Sequence, residues 1–199
     1  DTKTLDNQSM ASVAGGVRLS QERLHSLEPG LRGWRGKLFD ARLTLGSLSR
    51  LTAARVFAEH LMYGDAAPAL VVSTTPFKVA AFAPGLDAVI MLAFEDAVRD
   101  ALSQAPETGD RLLVINTYES MNEEGYAPGV IPGPSAPGAF RDAAPLIADW
   151  LTDDAARVQL IKRSFPEELW LHVGALASSY VEYFGEKARA GNPVAVCFS

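Results

Sequence analysis

The sequence predicts an α+β fold: a mainly antiparallel sheet of about five to seven strands packed with about four to five helices over a single-layer core. Three observations carry that prediction. Three short runs rich in Val, Ile and Phe succeed one another at 69–74, 77–82 and 88–94, and their connections are too short for the crossover that parallel strands require. Helical patterns with an apolar stripe flank these runs on both sides. The chain, 199 residues and 48% hydrophobic, is long enough to bury one sizeable core.

The elements follow in order. Residues 1–16 are read as a flexible leader and 17–199 as one α+β domain. The chain begins without Met, so a natural start at Met10 and a processed product both fit. Ser20 followed by Gln-Glu-Arg-Leu reads as the cap of a short helix stopped by Pro29-Gly30. The alternation Arg42-Leu43-Thr44-Leu45 favours a strand. Ser49 then caps a helix on which Leu51, Ala54, Phe57, Ala58, Leu61 and Met62 share a stripe, with Gly64 just past its end.

The three β runs make a meander turned by Thr75-Pro76 and by Pro84-Gly85-Leu86-Asp87. A helix is expected over 95–104, then a strand at Arg111–Ile115. From Glu119 to Ala139 the Gly/Pro-rich stretch excludes a regular helix or a central strand. A loop this long inside a compact domain is usually functional or disordered. Phe140–Leu151 resumes a helical pattern, and 157–162 fits strand or helix equally well. Ser164-Phe-Pro-Glu167 reads as the capping box of a last helix running to about 189, with Leu169, Val173, Leu176, Tyr180 and Phe184 as its stripe. Val194–Phe198 reads as a closing strand.

Composition narrows the function. No apolar run approaches the roughly 18 residues that span a bilayer, and Asp1–Gln8 do not resemble a secretory signal. The lone cysteine, Cys197, fits a reducing compartment, so a soluble cytoplasmic protein is expected. Net charge is -6, yet residues 1–63 hold nine Lys/Arg against six Asp/Glu, leaving the acidic excess in the remainder. Such a domain repels polyanions, so nucleic acid is not expected as a partner.

Catalytic signatures are scarce. Gly-x-Ser-x-Gly, the phosphate-binding glycine patterns and short His or Cys metal pairs are all absent from the sequence. No cofactor and no metal are therefore expected. Prolines within Gly133–Gly138 also delete the backbone N–H groups that a phosphate cradle needs. What remains is Glu119, Glu123 and Glu124 after the strand carrying Asn116 and Tyr118, together with the histidines His60 and His172. Carboxylates joined by a histidine could perform acid/base chemistry. Both histidines are expected to be partly exposed and hydrogen-bonded, His60 on the polar side of its helix and His172 near Ser179 and Tyr183.

A second set, Trp34, Arg35, Tyr126, Tyr118 and Asn116, suits recognition, since large aromatics beside arginine anchor protein partners. The expected function is a non-catalytic interaction or accessory protein that binds another protein or a second copy of itself. The alternative is a hydrolase without a short motif, sited at the 119–139 loop and using carboxylates with a histidine. A loop roofing a pocket that holds a histidine and carboxylates would favour the alternative.

Overall fold

The protein is described by a computed structural model that covers residues 13–24, 26–27 and 46–191, with backbone alone over 46–53. The expected strands at 42–45 and 194–198, and Trp34 with Arg35, lie outside the described residues.

The fold is α+β, as the patterning predicts. Helix α1 spans Gly46–Tyr63 and turns Phe57, His60 and Leu61 inward. It ends at Gly64, whose amide bonds the His60 carbonyl at 2.8 Å. A side chain could not fit there: a Cβ would lie 2.6 Å from Ile115 Cγ2. Strands β1 (Asp65–Thr74), β2 (Phe77–Ala83) and β3 (Ala88–Phe94) form the expected antiparallel meander. A cis Thr75–Pro76 bond and a 3-10 turn at Pro84–Leu86 connect them. Every residue of β2 is buried, because the sheet is covered on both faces at its centre.

Helix α2 is shorter than its pattern implied, Asp96–Ala101. Strand β4 runs from Arg111 to Ser120, so Asn116, Tyr118 and Glu119 stand in the strand itself. The expected helix over 140–151 is corrected: Phe140–Ile147 is strand β5, antiparallel to β4, and only Ala148–Leu151 (α3) is helical. Pro145 gives the physical reason, since mid-helix it would lack the amide donor and clash with the preceding turn, whereas an edge strand tolerates it.

The ambiguous 157–162 segment is helical, within α4 (Ala155–Ser164), capped by the Asp154 carboxylate accepting the Arg157 amide at 2.9 Å. Ser164 does not cap the last helix. Its hydroxyl closes α4 by donating to the Ile161 carbonyl at 2.7 Å. Helix α5 spans Glu167–Phe184 and is favoured at its start by Glu167 and Glu168 beside the positive end of the dipole. Its buried stripe is Trp170, Val173, Ala177 and Tyr180, a slight rotation from the predicted one. Gly185, at φ 64°, stops it earlier than predicted, and Arg189–Ala190 (β6) pairs in parallel with β3.

The sheet order is β5-β4-β1-β2-β3-β6. It is curled, because Asn116 Nδ2 on β4 reaches past β1 to donate to the Phe82 carbonyl on β2 at 2.9 Å. The curl brings the outer strands together, and Arg189 of β6 meets Asp142 of β5 at 2.6 Å. One hydrophobic cluster runs through the sheet and its helices, and each fully buried Leu, Ile or Phe in it contributes about 1.5–3 kcal/mol. Along β5, the Ala143 amide is taken by the Asp142 carboxylate at 2.8 Å, the Arg141 carbonyl accepts from the Ala127 amide at 3.0 Å, and Pro145 has no amide hydrogen. No helix of the described residues is long and apolar enough to cross a membrane.

Candidate functional site

Where the curled sheet brings its edges together, a cleft of about 330 Å³ opens between β4 and β5 on one side and Leu92 with β6 on the other. Its polar lining comes from Thr117, Tyr118, Glu119, Asp142 and Arg189. Strand register explains the grouping. Glu119 stands directly opposite Asp142, and Thr117 directly opposite Ala144, so Thr117, Glu119 and Asp142 share one face of the ladder. Like charges paired across strands repel unless they are compensated. Each carboxylate has its own arginine: Glu119 with Arg141 at 3.1 Å and Asp142 with Arg189 at 2.6 Å. Arg141 also pairs with Glu124 at 3.0 Å and donates to the Gly125 carbonyl, which ties the start of the long loop to β5. Glu123 is exposed on that loop.

Tyr118 is half-buried. Its hydroxyl accepts the Gly85 amide at 3.1 Å and donates to Asp65 Oδ2 at 3.0 Å, and its ring stacks on Phe140 with centroids 4.6 Å apart. Burial, then the Asp65 carboxylate beside it, pushes the phenol well above its ordinary range, so it stays a donor. Asn116 is fully buried, with Nδ2 bonded to Phe82 and Oδ1 without a partner among the described residues. Neither end of Asn116 faces solvent, so it is corrected from a contact residue to a buried tie between strands. Tyr126 is 37% exposed on the loop.

Only one of the two histidines has the expected exposure. His60 is buried, 3% exposed, with Nε2 donating to the Ile115 carbonyl at 2.8 Å. Burial lowers its pKa to about 4, partly offset by backbone hydrogen bonds at Ile115 and Ala144. The expected polar-side placement fails because the helix approaches β4 closely at Gly64, which leaves no room for solvent. His172 is partly exposed, but its partner is Asp87 at 3.0 Å, with the Phe82 ring packed edge-on at 5.6 Å, rather than Ser179 or Tyr183.

Asp87 is the residue that sequence reasoning missed. It sits in the left-handed region at φ 46°, is 6% exposed, and accepts both His172 and the Ser135 amide, the latter at 3.0 Å. The signal available was the turn Pro84-Gly85-Leu86-Asp87, where Asp tolerates such a backbone. The loop lands on it closely: a Cβ at Gly133 would lie 2.2 Å from Asp87 Oδ2, and the Gly133 amide bonds the Leu86 carbonyl at 3.1 Å.

Thus Glu119 and Tyr118 line the cleft, Glu124 is linked to Glu119 through Arg141, His172 is joined to the loop through Asp87, and His60 and Asn116 lie inside. Among the described residues no group of three or more His, Cys, Asp or Glu could hold a metal ion. The class so defined is an α+β protein whose curled six-stranded sheet frames a polar cleft at its meeting edges. Comparison with known protein families, with characterised proteins and with solved structures finds no match.

Proposed function

We propose that this chain is a non-catalytic cytoplasmic protein that binds another protein, using the cleft between β4–β5 and β6 and the adjoining loop that carries Tyr126. One observation supports the reading above the rest: both carboxylates of the cleft are compensated by arginines and no histidine lines it. An acid or base that works on a substrate has to be free to exchange a proton with it, whereas each of these carboxylates is engaged by an arginine. Walls built on paired strands lower the ordering cost of binding.

The test is site-specific photocrosslinking. A benzoylphenylalanine introduced at Tyr126 and, separately, at Ala144 is irradiated in extracts of the source organism, and adducts are mapped by mass spectrometry. One reproducible partner crosslinked from both positions, and lost on Asp142→Arg, is the expected result. Adducts that persist in Asp142→Arg would place binding elsewhere.

A specific observation favours a second reading, a hydrolase at the 119–139 loop. His172 is oriented by a buried carboxylate while the ring remains partly open to solvent, as a general base requires. Turnover of a chromogenic ester that disappears in both His172→Gln and Asp87→Asn would replace the first reading with this one.

A further inference from the structure

We propose that the cleft receives an alkylammonium group, the side chain of a lysine presented by the partner; this rests on the protein-binding reading above and assigns the chemistry it recognises. The acceptors are specific. Asp142 Oδ1 takes both Arg189 and the Ala143 amide, and Glu119 Oε1 takes Arg141. Among the described residues nothing donates to Asp142 Oδ2 or to Glu119 Oε2. Thr117 supplies an independent sign of a ligand. It is only 7% exposed and lines the cleft, yet its hydroxyl has no hydrogen-bond partner among the described residues. It is not one of the sealed, unpaired polar atoms of the described residues, so it opens on the cleft, where a bound donor can reach it.

Register turns these atoms into one site. Glu119 and Thr117 alternate onto the same face of β4, and Asp142 lies directly opposite Glu119. Side chains so placed are within reach of one small group. An ammonium carries its three donors on a compact centre, which matches three separate acceptors better than the planar fork of an arginine. The charge has the right sign: of the residues that line the cleft, Glu119 and Asp142 are acidic and Arg189 alone is basic. The chain as a whole carries -6, so a basic segment is attracted from a distance as well. An anionic ligand would meet the excess acid. The apolar wall at Leu92 and Pro145 suits the methylene stem of a lysine.

The experiment titrates ¹⁵N-labelled full-length protein with N-acetyl-lysine methylamide, with the neutral isostere N-acetyl-norleucine methylamide, and with putrescine. Amide shifts at Thr117, Asp142 and Ala144 are expected with the lysine derivative and not with norleucine. Affinity should fall about tenfold or more in the Glu119→Gln/Asp142→Asn double variant and severalfold in Thr117→Val, with otherwise unchanged spectra confirming the fold. Equal responses to lysine and norleucine, or full affinity in the double variant, would overturn the inference. Putrescine binding about ten times more tightly than the lysine derivative would also overturn it, in favour of a free diamine. A partner crosslinked at the cleft with no lysine response would reject the ammonium and leave protein binding standing. A lysine response with no crosslinked partner would support ammonium recognition and remove the protein reading.

Discussion

His172 Nε2 lies 3.0 Å from Asp87 Oδ1, while the other oxygen of the same carboxylate accepts the Ser135 amide at 3.0 Å. One buried side chain in a left-handed turn therefore fastens both the last helix and the long loop. Hydrogen bonds to a charged group contribute about 1.5–3 kcal/mol each. Asp87→Ala should accelerate amide exchange over 131–137 by at least about tenfold, with far smaller changes in β1–β3. His172→Gln, which removes one of the two ties, should produce an intermediate effect. Uniform exchange across the molecule in Asp87→Ala would contradict this division.

Gly133 tests the same contact from the loop side. A methyl group there meets the Asp87 carboxylate and carbonyl at 2.2 and 2.4 Å, so Gly133→Ala must displace the loop. Overpacking of this kind costs about 1–3 kcal/mol. Denaturant unfolding should show that loss, whereas Gly138→Ala, which meets nothing nearby, should be affected only through its positive φ.

His60 gives the fold a pH dependence whose sign is fixed. Its folded pKa is about 4, below the unfolded value of 6.5, so between these values the unfolded chain binds the extra proton. Stability from this group is fully present above pH 6.5 and declines as pH falls toward 4. Between pH 7 and 4.5 the loss is about 2–3 kcal/mol. His60→Gln keeps a donor for the Ile115 carbonyl without titrating, and its unfolding free energy should fall less over that interval. Parallel curves for the two proteins would show that His60 is solvated.

Tyr118→Phe should be costly for its size. It strands the Gly85 amide and removes a donor from Asp65, and an unpaired buried polar group costs about 1–3 kcal/mol. Ser178→Ala, on the exposed face of α5, is the control and should be close to neutral.

The parts of the fold legible in the sequence were those set by neighbours along the chain. The β1–β3 meander follows from its turn residues, and the end of α1 from Gly64. The misread element was β5, whose Ala143-Ala144 pair favours helix locally and whose partner β4 lies across a long loop. Pro145 was the available warning. The site was legible in pieces: Tyr118 and Glu119 come from one strand, but Asp142 and Arg189 enter through the closure of the sheet. The Asp87–His172 contact joins residues 85 positions apart. No periodicity or spacing encodes such a meeting, because tertiary packing creates it.

The outer strand β5 has a further consequence. Its Ala143 amide is already claimed by Asp142, its Arg141 carbonyl by Ala127, and Pro145 offers no hydrogen. A neighbouring chain seeking to extend the sheet would find an interrupted row of donors and an ionised side chain in its path. The same residues that shape the cleft thereby guard the margin of the sheet against templated stacking into fibrils.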